Sequence, residues 1–266
     1  MYFDCHNHTR FSADSEANPE DMLKKAIERG VTRYCFTDHQ DFDFPYEDLK
    51  FDVDAKEYFD TLLPIKKKYA DKIEVNIGIE LGLENHLWDR LDEYAKSADF
   101  DFVIGSMHLL DRKDPYYPEF FEGKDEVDLF RRFFESTYEN IKGFKNFDVL
   151  GHLDYVVRYA PTKNENYSYN KFSDIIDAIL KELIESGRGI EINSSGFRRG
   201  LGEPHPCFEV VKRYKELGGE IITTGSDAHV KEDVARDFDK IYALIKEAGF
   251  NYICAFNKRK ADFFKI

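Results

Sequence analysis

The feature that most constrains this chain is a repeated change of hydrophobic period. Short β-branched or aromatic runs alternate with longer segments whose apolar residues recur every three or four positions. Runs 2–6, 32–37, 73–80, 101–107, 147–152, 188–193 and 220–226 read as strands, and 251–256 as a weaker eighth. Such alternation is expected of βα units around a parallel sheet, and seven or eight units within 266 residues is the size of a closed α/β barrel. An open doubly wound sheet is the alternative, but neither a GxGxxG nor a Walker-type glycine loop supports it. The helical segments carry sound punctuation. Asn18 can cap a helix with Pro19 in its first turn and Gly30 as terminator, and 171–187 places Phe172, Ile175, Ile176, Ile179, Leu180, Leu183 and Ile184 on one face before Gly187. With no repeat, linker or low-complexity run, residues 1–266 read as a single domain.

Onto this frame the chain places eight histidines, six of them at or just past the C-terminal end of a predicted strand: His6, His8, His39, His108, His152 and His229. Barrel strands open at that end onto one rim, so residues distant in sequence converge there. Asp14, Glu80 and Asp227 fall in the same register. A lone strand-end histidine is ordinarily a hydrogen-bonded structural residue, and one HxH pair can arise by composition. The joint pattern on six strand ends goes beyond either. In HNH, strand alternation points His6 and His8 to one side and Asn7 to the other. Nine imidazole and carboxylate groups without thiolates are too many for one four-coordinate ion and suit two or three ions such as Zn, Mn or Fe. Glu80, isolated at its strand end, is the natural bridging ligand.

Composition narrows the partners. Lys and Arg number 38 against 52 Asp and Glu, a formal charge of −14, the wrong sign for a broad phosphate-backbone footprint. Most of that charge reads as a solvated surface, and part of it as carboxylates gathered to hold cations. Cys5, Cys35, Cys207 and Cys254 are scattered, with no CxxC, so reduced thiols are expected rather than a disulfide framework. Neither a secretory signal nor a membrane-length apolar run is evident, so the expected setting is the cytoplasm. The 15% aromatic content could feed a homo-oligomer interface or fill the core.

The motifs HNH (6–8), TDH (37–39), Glu80, GSMH (105–108), GHLD (151–154) and SDAH (226–229) together resemble the PHP (polymerase and histidinol phosphatase) superfamily, in the family's order. Within it, the length, HTRFSAD (8–14), GSMH and INSSGFRRG (192–200) are similar to the histidinol-phosphate phosphatases. The resemblance implies a distorted (β/α)7 TIM-like barrel that leaves 251–256 outside the closed sheet. It implies three metal ions: His6, His8, Glu80 and Asp227 on the first, Glu80, His108 and His152 on the second, Asp14, His39 and His229 on the third. Some relatives carry histidine where this chain has Asp14. Glu80, Asp227 and His229 are the expected catalytic residues.

The expected reaction is hydrolysis of a small phosphomonoester, L-histidinol phosphate, by in-line attack of a metal-bridging hydroxide. Guanidinium forks match two phosphate oxygens, and Arg158 and Arg198 lie in strand-following loops; the resemblance favours these two, whereas Arg199 reads equally as an ordinary surface arginine. The segment 111–126 reads equally as a lid carrying Tyr117 or as a solvated loop. Glu84 is a further candidate contact for a cationic substrate, whereas His86 and Trp88 read more readily as surface or packing residues. Asp154, His205 or a metal-bound water could protonate the leaving alkoxide. Two other readings remain: a PHP phosphoesterase for nucleotides or other phosphomonoesters, and a non-catalytic metal-binding module.

Overall fold

A computed structural model describes residues 2–46 and 49–266. Its strands are β1 (Tyr2–Asp4), β2 (Val31–Phe36), β3 (His39–Gln40), β4 (Glu74–Gly82), β5 (Phe102–Ser106), β6 (Val149–Leu150), β7 (Gly189–Asn193), β8 (Ile222–Gly225), β9 (Tyr252–Asn257) and β10 (Lys260–Lys265). Its helices are α1 (Pro19–Glu28), α2 (Ala55–Lys68), α3 (Trp88–Ala95), α4 (Glu126–Gly143), α5 (Ser173–Glu185), the single turn α6 (Ser195–Arg198), α7 (Phe208–Glu216) and α8 (Phe238–Glu247).

Seven strands run parallel in the order β1-β2-β4-β5-β6-β7-β8, with β3 a short extra partner on β4. The ends of that order meet: Cys5 N–H donates to Thr224 O and Asp227 N–H to His6 O, both at 2.8 Å, while Asn7 and Ala228 form a parallel bridge. The sheet is thus a (β/α)7 barrel, and each predicted barrel strand overlaps an observed one. Local chemistry explains the helices flanking the first strands. Asn18 accepts from the N–H groups of Glu20 and Asp21, and the chain leaves α1 through Gly30 at φ +75°, a conformation open to glycine at little cost. Along α5, Ile176, Ile179, Leu180 and Leu183 are buried against the sheet and Ile175 and Ile184 half-buried, the stripe expected from their spacing.

The eighth run is not a barrel strand. β9 pairs antiparallel with β10 through a two-residue turn in which Lys258 and Arg259 both take positive φ. That hairpin lies across the N-terminal ends of the barrel strands. Phe256 stacks on Phe102 at 5.0 Å, Arg259 Nε donates to Asp148 at 2.7 Å, and the Lys258 and Arg259 N–H groups both donate to Asp101. With this end covered, the opposite rim carries the polar interior. No helix among the described residues is long and apolar enough to cross a membrane.

Candidate metal centre

His6 and His8 leave β1 into the barrel mouth, both fully buried, while Asn7 turns away and donates to the Asp4 and Cys35 carbonyls. Each ring is held from behind. His6 Nδ1 lies 2.6 Å from Glu191 Oε1, His8 Nδ1 3.1 Å from Ser12 Oγ, and His108 Nδ1 2.7 Å from Asp41 Oδ1. In all three, Nε2 is thereby left facing inward, the arrangement that fixes a metal-ligating imidazole.

Those nitrogens meet at Glu80, which is fully buried. Its Oε1 is 2.9 Å from His152 Nε2 and 3.3 Å from His108 Nε2. Its Oε2 is 2.8 Å from His39 Nδ1, 3.2 Å from His6 Nε2 and 3.5 Å from His8 Nε2. Asp227 Oδ1 lies 3.3 Å from His8 Nε2 and 4.0 Å from His6 Nε2, and Asp14 Oδ2 lies 3.1 Å from His229 Nε2 and 3.8 Å from His39 Nε2. All nine residues singled out in the sequence therefore converge.

The donor set fits metal ions. His6 Nε2, His8 Nε2, His39 Nδ1, His108 Nε2 and Glu80 Oε2 are buried without a hydrogen-bond partner. One such atom costs about 1–3 kcal/mol, so five aimed at one small volume make sense as ligand atoms. Four overlapping groups each bring their ligand atoms within 4.8 Å: His6, His8 and Glu80; Glu80, His108 and His152; His8, His39 and His229; His39, Asp41 and His108. Only nitrogen and oxygen are offered, suited to Zn, Mn or Fe. Burial, then the charges of His229 and His39, hold His8 well below its ordinary pKa, so its lone pair is free. Burial alone would raise Glu80, but the charges of His6, His39 and His108 outweigh it and keep the carboxylate ionised.

Residues 4–195 match the PHP domain family. The chain belongs to that family. This PHP protein is 33% identical over 260 residues to the histidinol-phosphatase of Lactococcus lactis, covering 97% of this chain and 96% of the relative. A Clostridium acetobutylicum protein named a probable histidinol-phosphatase is 32% identical over 265 residues, covering 97% and 98%. The crystal structure of the Lactococcus lactis histidinol phosphate phosphatase, complexed with zinc, L-histidinol and phosphate, matches with a TM-score of 0.92 at 32% identity and covers 98% of both chains.

Above the histidines of this PHP protein lies a cleft of about 200 Å³ lined by Asp14, His39, Asp41, Phe44, Phe51, His108, Asp114, Tyr155, Arg158, Tyr159, Arg199 and His229. Arg158 is buried, its Nη1 donating to Asp227 Oδ2 at 2.9 Å and Ser195 Oγ at 3.1 Å. Arg198 stands behind it, bonding the Asp227 carbonyl at 2.6 Å, where that residue takes a left-handed φ of +53°. The arginine lining the cleft from that turn is Arg199. Tyr117 is one layer out, stacked on Tyr46 at 4.0 Å. Glu84 sits in a side recess with Asp41, Gly82 and His108, where burial raises its carboxyl to about 7. Asp154 and His205 bond each other away from the cleft lining. His86 is exposed beside Arg112, and Trp88 donates to Asn140 from α3, a packing role. The 111–126 segment is anchored by buried Phe120 and Phe121 and lends Asp114 to the cleft.

Two supporting carboxylates are not among the residues singled out in the sequence. Asp41 lies two positions after His39, the same alternation as HxH, and Glu191 shares the inward face of β7 with Asn193. Asp41 depends on a glycine: a Cβ at Gly82 would fall 1.7 Å from Asp41 Oδ1. Gly82→Ala should push Asp41 off His108 and weaken metal retention roughly 10- to 100-fold, the usual cost of a lost supporting contact. Elemental analysis after dialysis, beside an unchanged circular dichroism spectrum, would measure this; full metal content would contradict it.

Proposed function

We propose that this protein is a histidinol-phosphatase, hydrolysing L-histidinol phosphate to L-histidinol and phosphate. The observation that carries the reading is the convergence of nine nitrogen and oxygen ligands beneath a cleft lined by Arg158 and Arg199, in a chain so similar along its length to a histidinol-phosphatase. His6, His8, Glu80 and Asp227 would hold one ion, Glu80, His108 and His152 a second, and Asp14, His39 and His229 a third, with Zn, Mn or Fe the suitable elements. Ions there supply Lewis acidity to the phosphoryl group and a water acidified toward neutral pH.

The remaining tasks fall to side chains. Arg158, oriented by Asp227 and Ser195, offers a desolvated guanidinium to the phosphoryl oxygens, and Arg199 a second from the rim. Arg198 braces the strained Asp227 backbone. Among the described residues no serine, threonine or cysteine lines the cleft, which favours direct attack by water over a phosphoserine or phosphocysteine intermediate.

The test is kcat/KM of the metal-reconstituted protein on L-histidinol phosphate beside nucleotides and sugar phosphates. L-Histidinol phosphate should lead by about tenfold or more; a comparable lead for any other ester would overturn the assignment. Chelation should abolish turnover and metal should restore it, whereas a metal-binding module without catalysis would show turnover in neither state.

A further inference from the structure

Three carboxylates line the cleft, and two already have cations. Asp14 faces His229 and His39, and Asp41 faces His108 and His39. Asp114 is different. It is 8% exposed, yet among the described residues no lysine, arginine or histidine nitrogen lies within ion-pair distance of it. Its Oδ1 accepts the Tyr116 N–H at 2.8 Å, and its Oδ2 accepts no hydrogen bond from a described residue. Asp114 is thus a largely buried carboxylate with one oxygen still open to a ligand and no cation in direct contact; burial raises its pKa, against the more distant charges of His108 and Arg158.

The loop nevertheless holds it in place. Asp114 N–H bonds Tyr46 Oη at 3.4 Å, Tyr46 stacks on Tyr117, and Phe120 and Phe121 anchor the loop in the core. Beside it the cleft presents the aromatic side chains of Phe44, Phe51, Tyr155 and Tyr159. An anionic group among aromatic walls, in a cleft that also holds two phosphate-seeking arginines, is complementary to a ligand carrying a cation a few bonds from its phosphate.

We propose that Asp114 is a specificity-determining residue that receives the ammonium group of an amino-alcohol phosphate. This rests on the histidinol-phosphatase reading and assigns the part of the substrate that reading leaves without a partner. The bound ammonium would donate to Oδ2, neutralise the buried carboxylate and set the ester oxygen toward the metals. A bound phosphomonoester lacking the amine would exclude water from Asp114 without giving it a cation, so the residue selects against such esters as well as for the amine.

The experiment compares L-histidinol phosphate with its des-amino analogue, 3-(imidazol-4-yl)propyl phosphate, on wild type and Asp114→Asn. For the amine-bearing ester, kcat/KM should fall on the order of 10- to 100-fold, the value of a hydrogen bond to a charged group. For the des-amino ester it should hold or rise, and inhibition by inorganic phosphate should be unchanged. Asp114→Glu should recover part of the loss. Equal losses on both esters would overturn the assignment while leaving the activity standing. A wild type that leaves L-histidinol phosphate intact would instead overturn the activity itself, and this assignment with it.

Discussion

Replacing Glu80 by alanine is expected to lower kcat roughly 10³-fold or more, the equivalent of several kcal/mol of lost charge stabilisation. Its two oxygens face different groups, Oε1 toward His108 and His152, Oε2 toward His6, His8 and His39. Removing them should therefore empty two sites together, where loss of a ligand serving one ion would empty one. Glu80→Gln separates charge from shape: the amide fits the space but turns one acceptor into a donor pointed at imidazole nitrogens. It should bind metal little better than alanine does. Metal content and kcat measured on the same preparation would check this, and activity within tenfold of wild type would contradict the bridging role.

Arg158→Ala should cost the next largest effect, a fall in kcat/KM of roughly 10²- to 10³-fold, since a bidentate charge-assisted contact acts in a water-excluded site. A second consequence concerns stability. Burial would raise Asp227, but His8 and Arg158 hold its carboxyl well below the usual range. Without the guanidinium that carboxylate is buried and poorly compensated, so the metal-free variant should lose about 3 kcal/mol. Because the pKa of Asp227 is depressed, the stability it contributes is present above the usual aspartate pKa and lost as pH falls toward the lower folded value. The deficit of Arg158→Ala should thus be clear at neutral pH and shrink in acid. Arg158→Lys retains the charge without the planar fork and should recover stability more than turnover. Urea midpoints with kcat/KM would measure both, and an alanine variant with unchanged kcat/KM would remove Arg158 from the reaction.

The histidines were legible because they are few and because a strand end is a local property. With eight in the chain, six falling on strand ends stands out. The acids are the opposite case. Against 52 of them, Glu191 and Asp114 have no distinguishing neighbourhood, and Asp41 only its spacing from His39; Asp41 and Glu191 acquire meaning from His108 and His6 on other elements, and Asp114 from the cleft it lines. Arg198 and Arg199 show a finer boundary. They are adjacent at the end of the four-residue turn α6, and the phase of that turn decides which one lines the cleft and which one backs Asp227. β10 escaped for a chemical reason. Its hairpin turn is Lys258–Arg259, with none of the Asn-Gly or Asp-Gly residues that announce positive φ, and Asp101 on a distant segment stabilises it instead.

The closure between β1 and β8 has a consequence for how the protein is made. The ligands run from His6 to His229, so the first is synthesised long before the last. Until β8 reaches β1, His6 and His8 have no Asp227, and the barrel has two open sheet edges. A nascent chain therefore carries metal-seeking histidines without a competent cluster. Contacts of such sequence separation are slow to form, so the complete ligand set is assembled late in folding.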